Sequence, residues 1–377
     1  MEFRDLKQQY QLHKTEIDNA IQNVLTKVNF IQGKQVAALE EVLAEYVGVK
    51  HCVTCANGTD ALQLALMTWD IGSGDAVFVP DFTFFSSGEV VPLVGATPIF
   101  VDIDEDTYNI SPQSLEQAIQ YVLEKTNLNP RVIVAVDLFG QPADFEQIRK
   151  IAARYGLLIL EDGAQGFGGR IGTKKACSFG DISTTSFFPA KPLGCYGDGG
   201  AVFTENDAWA DLIRSYRVHG KGMDKYDNVR IGMNSRLDTI QAAVLLEKIK
   251  FFDEEIEKCN QVTEEYTKGL QDVVKVPVVK EGFVSSWAQY TVCFQNNKER
   301  EQVIKLLKEQ NIPTAVYYRK PMHMQEAFRK YQYRGLEYKV TEKVCERCLS
   351  LPMHPYLNTA QIRKVTEHIL KSKEVMQ

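Results

Sequence analysis

A lysine in a glycine-rich loop is the residue of this sequence best suited to covalent chemistry. Lys191 follows a β-type run, 182–188, and precedes a cluster of four glycines that ends at Gly200. A lysine on a tight loop over a buried sheet loses its proton by desolvation, and its neutral amine can attack a carbonyl group. An earlier apolar run, 157–160, leads to Asp162 and so places a carboxylate at the end of a predicted strand. Together the two residues indicate carbonyl chemistry.

This pair matches what pyridoxal phosphate requires from a protein. A lysine binds the aldehyde of that cofactor, and a carboxylate holds the protonated ring nitrogen, so that the ring can withdraw electrons. We therefore predict that Lys191 binds the cofactor covalently and that Asp162 contacts its pyridine nitrogen. Gln165, three residues beyond Asp162, is predicted to hydrogen-bond the phenolic oxygen of the cofactor ring.

A phosphate site is predicted where the segment 57–60 follows a strand and opens a helix. Free backbone N–H groups at a helix N-terminus bind anions, and a glycine permits close approach. Gly58 and Thr59 are therefore candidate phosphate-binding residues, with the Ser186 hydroxyl as a second donor. Phe84, just after another strand, is predicted to stack on the flat cofactor, although aromatic rings in such a place also serve as core residues.

Alternating β and helical patterns between residues 50 and 205 predict the scaffold that positions these residues. Continuous apolar strands separated by amphipathic helices are typical of a mainly parallel sheet that is covered on both faces. Ligands collect at the carboxyl ends of the strands in such sheets, where the candidate residues lie. We predict an α/β fold with a mainly parallel seven-stranded sheet between helices. The predicted strands are 51–55, 76–79, 97–101, 132–136, 157–161, 182–187 and 200–204.

A change of pattern indicates a smaller C-terminal domain. One long helical pattern runs to about residue 264, and an α+β pattern follows it. The predicted elements there are strands 286–294 and 314–317 and a helix 299–309. We therefore predict a large cofactor-binding domain, 1–253, and a small α+β domain, 254–377.

Composition narrows the class of protein. The chain has 377 residues, a formal net charge of −6 and no basic block, which argues against nucleic acid as a main partner. No apolar run approaches the roughly 18 residues that span a bilayer, and the charged N-terminus has no secretory pattern. We therefore expect a cytoplasmic protein without a membrane partner.

The cysteines form two C-x-x-C pairs, which raise the question of a zinc site. Cys52 and Cys55 lie on a predicted strand, where residues three apart point to opposite faces and cannot readily share one ion. Cys345 and Cys348 lie in a helical pattern without a nearby histidine. We therefore expect no metal site.

The sequence has features that bear on two other classes of protein. The glycines of 194–200 resemble a dinucleotide-binding fingerprint, but that run precedes a strand and does not open a helix, which argues against a Rossmann oxidoreductase. A non-catalytic regulator with the same fold would carry a DNA-binding segment, and no basic helix-turn-helix pattern is seen.

The full set of motifs resembles the DegT/DnrJ/EryC1/StrS family of sugar aminotransferases, which have the fold-type I aspartate-aminotransferase architecture. The likeness covers nearly the whole chain. The motifs that carry it are Asp5-Leu, Asn57-Gly-Thr-Asp-Ala-Leu, Pro80-x-Phe-Thr-Phe, Val101-Asp-Ile-Asp, Glu161-Asp-x-Ala-Gln, Ser186-Phe-x-x-x-Lys, Gly197-Asp-Gly-Gly, Asn234-Ser-Arg-Leu-Asp and Leu351-Pro-Met-His-Pro. Gly163 departs from the alanine usual in the family, but both residues are small and keep the spacing of Asp162 and Gln165.

The resemblance implies a role for each matching position. It agrees with the cofactor roles given above for Lys191, Asp162 and Gln165 and with the phosphate-binding roles. It also implies that Asn234 reaches the phosphate from a neighbouring subunit, so that a homodimer with shared active sites is expected. Sugar dehydratases with this fold replace the Schiff-base lysine, whereas Lys191 is present here.

Within the family, the segment 186–200 most resembles bacterial enzymes that aminate C3 of UDP-2-acetamido-2-deoxy-ribo-hex-3-uluronic acid for lipopolysaccharide O-antigen. The resemblance implies glutamate as the amino donor and Arg236 as the partner of the sugar carboxylate, for which a bidentate arginine is suited. Tyr317, Tyr318 and Phe30 are further candidate substrate residues. They stand where that group carries a histidine-tyrosine pair and a Gly-x-Tyr motif, so a dTDP- or UDP-linked 6-deoxy ketosugar, aminated at C3 or C4, stays open as the alternative substrate.

Overall fold

The structure is a computed structural model that describes residues 1–224 and 226–376. Its helices are α1 (Leu6–Leu12), α2 (Lys14–Lys27), α3 (Lys34–Val47), α4 (Gly58–Thr68), α5 (Ser86–Leu93), α6 (Pro112–Lys125), α7 (Phe145–Tyr155), α8 (Asp207–Tyr216), α9 (Thr239–Lys248), α10 (Phe252–Leu270), α11 (Asn297–Glu309), α12 (Lys339–Arg347) and α13 (Thr359–Met376). Its strands are β1 (His51–Cys55), β2 (Asp75–Pro80), β3 (Thr97–Val101), β4 (Asn129–Val136), β5 (Leu158–Asp162), β6 (Arg170–Ile171), β7 (Lys174–Lys175), β8 (Ile182–Ser186), β9 (Gly200–Thr204), β10 (Phe283–Val284), β11 (Tyr290–Cys293) and β12 (Cys348–Leu351).

A seven-stranded sheet forms the centre of the fold, in the order β1-β9-β8-β5-β4-β2-β3. The pairs from β3 to β8 are parallel, and β9 pairs antiparallel with both β8 and β1. The predicted mainly parallel sheet is therefore confirmed, and each of its predicted strands lies within a few residues of an observed one. Because β5 and β8 are neighbours, their carboxyl ends, Asp162 and Ser186, lie at the same edge.

Both faces of the sheet are covered, which explains the apolar character of strands such as β2 and β4. Val77 and Val79 of β2 pack into a core cluster with residues of α4, such as Leu66. Phe78, between them, packs on the opposite face in a second cluster that includes Leu115 of α6. This alternation is the period of two that a strand imposes on its side chains.

The C-terminal region differs from the predicted α+β elements at two places. The predicted strand 314–317 is wrong: Ala315 makes only an isolated bridge to Ser350, and Pro313 just before it has no N–H group to extend the ladder. The strand predicted at 286–294 shortens to β11, because the Ser286 N–H group turns away to the carbonyl oxygen of Gly140.

The long helix predicted after Asn234 is two helices. A 3-10 turn, Ile249–Phe251, separates α9 from α10, and Phe251 has a non-helical φ of −116°. The start of α10 packs with the large core through Phe252, whereas Tyr266 near its end packs with the C-terminal core. The boundary between 253 and 254 lies within this shared helix and stays a prediction.

The cysteine pairs do not converge on a metal. Cys52 and Cys55 pack into different core clusters, as expected for residues three apart on a strand. The helical interpretation of the second pair is wrong in part, because Cys345 lies in α12 but Cys348 begins β12. Within 1–224 and 226–376, no group of three or more His, Cys, Asp or Glu side chains is arranged to hold a metal ion. No helix in this part of the chain combines the length and the apolar character that crossing a membrane requires.

Candidate active site

Lys191 lies in a tight loop that follows β8. Its backbone N–H donates to the carbonyl oxygen of Phe188 at 2.8 Å, and a side chain at Gly194 would come within 2.5 Å of the Pro189 carbonyl oxygen. The loop is therefore closed on itself and needs a glycine. The Lys191 side chain is half-buried, and burial lowers the pKa of its amine, while the charge of Asp162 counters that effect. A lowered pKa makes the neutral, nucleophilic amine more abundant.

Asp162 ends β5 with its carboxylate fixed. The residue is 5% exposed, and its Oδ2 atom accepts a hydrogen bond from the Ser87 hydroxyl at 2.7 Å. The Ala164 N–H group donates to Oδ1 at 3.2 Å. Sequence reasoning missed Ser87, since a serine in the first turn of a helix carries no signal of this role.

The neighbouring Glu161 points to the other side of the strand and has a different task. Its carboxylate accepts backbone N–H groups of Cys177, Phe179 and Gly180 and the hydroxyl of Ser183, at 2.5 to 3.0 Å. Strand alternation therefore separates two adjacent carboxylates into a structural one and one that faces the site.

The start of α4 forms an anion-binding cradle. Asn57 caps the helix by accepting the Asp60 N–H group at 2.8 Å. Within the described residues, the N–H groups of Gly58 and Thr59 have no hydrogen-bond partner, so they are available to a ligand. A Cβ atom at Gly58 would lie 2.7 Å from Cβ of Ser186, so only glycine lets the helix start approach the serine.

Aromatic and amide side chains line the other walls. Gln165 accepts the Phe139 N–H group at 2.8 Å and donates from Nε2 to the Tyr318 hydroxyl at 3.1 Å. Burial raises the pKa of the Tyr318 hydroxyl well above its ordinary value, so it stays protonated. Phe84 is 53% exposed at the mouth of the site, which leaves its ring available for stacking.

These groups face one cavity of about 780 Å³, a volume typical of small-molecule sites. Nine of the predicted residues line it: Gly58, Thr59, Phe84, Asp162, Gln165, Ser186, Lys191, Tyr317 and Tyr318. Sequence reasoning missed other lining residues, among them Ser87, Lys320, Met322 and Gln325.

Three predicted residues do not line this cavity. Asn234 is exposed beside an isolated bridge to Val218, and Phe30 is 40% exposed. Arg236 is half-buried, and its guanidinium has no hydrogen bond or ion pair within 1–224 and 226–376. Within the described residues of one chain, these three side chains are therefore not part of the wall that a ligand in the cavity would contact.

The donor set of the cavity fits pyridoxal phosphate. It offers a desolvated lysine, a fixed carboxylate across from it, and unpartnered N–H groups with a hydroxyl where a phosphate would bind. Gly58 lets the start of α4 lie close to Ser186, so that these N–H groups and the hydroxyl are near one another. On this sheet, the site defines a pyridoxal-phosphate-dependent transferase of fold type I.

The chain belongs to the DegT/DnrJ/EryC1/StrS aminotransferase family, whose model matches residues 11–370. A UDP-2-acetamido-2-deoxy-3-oxo-D-glucuronate aminotransferase of Pseudomonas aeruginosa is 45% identical over 364 residues, which are 96% of this chain and 98% of that protein. A pleiotropic regulatory protein of Geobacillus stearothermophilus is 40% identical and covers 97% of this chain and 96% of its own.

Solved structures agree with the family and with its cofactor. A DegT/DnrJ/EryC1/StrS aminotransferase from Brucella abortus has a TM-score of 0.96 and 48% identity, and covers 98% of this chain and 99% of its own. NtdA from Bacillus subtilis, solved with bound pyridoxamine phosphate, has a TM-score of 0.87 and 28% identity over 96% of this chain and 82% of its own. This protein is therefore a pyridoxal-phosphate-dependent sugar aminotransferase.

Proposed function

We propose that this protein aminates C3 of UDP-2-acetamido-2-deoxy-ribo-hex-3-uluronic acid, with glutamate as the amino donor. The product would be a precursor of lipopolysaccharide O-antigen. The observation that carries the proposal is the 45% identity, over nearly the full length of both chains, to an aminotransferase named for this type of 3-oxo uronic acid. The cavity of about 780 Å³ leaves room for a sugar beside the cofactor-binding residues.

Each side chain or backbone group of the site has a different role in transamination. When bound, the cofactor supplies a ring that stabilises negative charge on the carbon that loses a proton. We assign to the Nζ atom of Lys191 the movement of that proton, for which its lowered pKa is suited. Asp162, held by Ser87, keeps positive charge on the ring nitrogen. The N–H groups of Gly58 and Thr59 bind the phosphate.

The positions of Asn234, Arg236 and Phe30 support a homodimer. All three lie outside their own cavity, so we propose that they complete the site of a partner subunit, with Arg236 on the sugar carboxylate. The Thr239 N–H group donates to the Phe30 carbonyl oxygen at 2.9 Å, which keeps Phe30 near the segment of Arg236. Large exposed apolar side chains, including Met223 at 99% exposure, occur close by in sequence and mark a surface suited to burial in an interface.

Arg236 provides the test of the substrate. Arg236→Ala should lower kcat/KM about ten- to a hundredfold with the uronic acid, because a charge-assisted bidentate pair is lost. The loss should be much smaller with an analogue that carries a hydroxymethyl group in place of the carboxylate. Arg329→Ala, at an arginine that is 77% exposed, is the matched control and should behave as wild type.

Equal losses on both substrates would contradict the carboxylate assignment. A wild-type enzyme that prefers a neutral 6-deoxy ketosugar would do the same and would favour the dTDP- or UDP-linked alternative. Both outcomes leave the sugar aminotransferase class untouched.

A regulatory role is the second candidate function, because a relative that is 40% identical is named as a pleiotropic regulatory protein. An absorbance spectrum of the purified protein separates the two. An enzyme of the proposed type should show a visible cofactor band that borohydride bleaches, together with glutamate-dependent amination of a ketosugar. Lys191→Ala should lose turnover but stay folded. A wild-type protein without turnover on any nucleotide ketosugar would support the regulatory role.

A further inference from the structure

Side chains from two distant parts of the sequence hold the loop that carries Lys191. Arg4, near the N-terminus, donates from Nη2 to the carbonyl oxygen of Lys191 at 3.0 Å and to that of Pro192 at 3.2 Å. Lys248, the last residue of α9, donates from Nζ to the carbonyl oxygen of Gly194 at 2.5 Å. Two cations therefore bind three of the four carbonyl groups between 191 and 194.

Lys248 is an unusual residue to find in such a place. Its side chain is 2% exposed, and within the described residues its amine forms no ion pair with a carboxylate. Its other neighbour is the ring of Tyr196, whose centroid lies 5.4 Å from Nζ. A buried ammonium group without a paired carboxylate costs folding free energy. The contribution of Lys248 to stability therefore does not explain its presence.

The charges around Lys248 come from three other elements. Glu255 of α10 is the acidic side chain with the largest effect on Lys248, but its carboxylate accepts Gln9 Nε2 at 2.9 and 3.0 Å and the hydroxyl of Tyr356. Burial lowers the pKa of Lys248 to about 8; the charge of Glu255 raises this pKa, Arg4 lowers it and Cys195 raises it. The loop carbonyl of Gly194 is thus the one direct acceptor of this amine within the described residues.

The residue before Arg4 is held by contacts with the C-terminal region. The Met353 N–H group donates to the carbonyl oxygen of Phe3 at 3.0 Å, and the Phe3 ring contacts the edge of Tyr317 with centroids 6.3 Å apart. The N-terminal segment is therefore fixed between the C-terminal region and the cavity wall, next to the loop of Lys191.

From these contacts we propose that Arg4 and Lys248 are positioning residues, which fix the backbone of 191–194 and so direct the amine of Lys191 into the cavity opposite Asp162. The proposal rests on the proposed role of Lys191. Arg4 has a second effect, since its positive charge opposes protonation of the Lys191 amine.

Charge-removing substitutions of similar length test the proposal on the full-length holoenzyme. Lys248→Met and Arg4→Met should each lower kcat about tenfold or more while KM for both substrates stays within about twofold, because the amine is misdirected and substrate contacts remain. Arg4→Lys should recover part of the loss, since it keeps the charge but not the forked donor. A second readout does not need turnover: pyridoxal phosphate should restore the visible band of cofactor-stripped protein about tenfold more slowly in both variants.

Lys250→Met is the matched control, because Lys250 is 63% exposed and pairs with Glu247. It should leave all readouts unchanged. Wild-type kcat and wild-type rates of cofactor uptake in both Arg4→Met and Lys248→Met would overturn the proposal, and so would equal losses in Lys250→Met. If Lys248→Met does not fold, Arg4→Met alone tests the proposal, because Arg4 is half-buried and near the chain terminus. Substantial transamination by Lys191→Ala is a different result, which would refute the role of Lys191 itself.

Discussion

Lys248→Met should change how the stability of this protein depends on pH. The ordinary pKa of a lysine is 10.5, and burial lowers that of Lys248 to about 8 in the folded state. Between these values the unfolded chain binds more protons than the folded one. The free energy of unfolding should therefore rise with pH through this window, as the cost of burying the charge disappears.

The size of this effect follows from the difference between the two pKa values. A difference of about two and a half pH units corresponds to roughly 3 kcal/mol, at about 1.36 kcal/mol per unit. Lys248→Met has no such charge and should lack this rise. At pH 7 it should be more stable than wild type by up to about 3 kcal/mol, less about 1 kcal/mol for the lost hydrogen bond to Gly194.

Urea denaturation at pH 7, 8, 9 and 10 measures the effect on wild type, Lys248→Met and the Lys250→Met control. Other groups that titrate in this window contribute equally to all three proteins, so the difference between the curves isolates Lys248. Wild-type and Lys248→Met curves that run parallel from pH 7 to 10 would refute the reasoning, because they would mean that the buried amine carries no unpaired charge.

Three further substitutions test the cofactor-binding half of the site. Asp162→Asn should keep a bound cofactor, but kcat should fall about 100- to 1000-fold, since an amide does not stabilise charge on the ring nitrogen; wild-type kcat would assign that task to another group. Ser87→Ala should lower kcat about tenfold at unchanged KM, because Asp162 loses a donor at 2.7 Å, and an unchanged pH–rate profile and kcat would contradict this. Gly58→Ala should raise the dissociation constant of pyridoxal phosphate at least about tenfold in an absorbance titration, since its Cβ would lie 2.7 Å from Ser186; wild-type affinity would mean that the helix start shifts without cost.

The meeting of Lys191 and Asp162 could be predicted from the sequence for a physical reason. Asp162 ends one strand and Lys191 follows another, and the alternation of strands with helices indicates a mainly parallel sheet whose strands end at one edge. The prediction therefore needed no separate sequence signal for a contact between the two residues. The position of Gly58 and Thr59 at the start of a helix was also predictable, because the glycine and the helix start are adjacent in the chain; that they bind phosphate stays a prediction.

Contacts between distant segments could not be predicted in this way. Arg4 lies 187 residues before the loop carbonyl that it binds, and neither periodicity nor spacing indicates such a pair. Ser87 supports Asp162 from the first turn of α5, where a serine gives no sign of a contact with a strand 75 residues away in sequence. The strand predicted at 314–317 is wrong. Its sequence has β character, but it follows Pro313, and among the described residues only Ala315 forms a bridge, to Ser350. Arg236 and Phe30 do not line the cavity of their own chain, so their contact with substrate stays a prediction.

The origin of the cavity walls explains why relatives share a cofactor but differ in the sugars that they are named for. The cofactor-binding half is built from ends of the central sheet, where a change at Asp162 or Gly58 would disturb buried packing. The opposite wall comes from the segment 317–325, which includes Lys320 and Met322. That segment is attached to the sheet through Asp81, which accepts the His323 N–H group at 2.7 Å and lies 2.6 Å from its Nδ1 atom. Met322 of this segment is a buried core residue, whereas Lys320 is exposed at the cavity. We therefore expect exposed positions such as Lys320 to differ between relatives that act on different sugars.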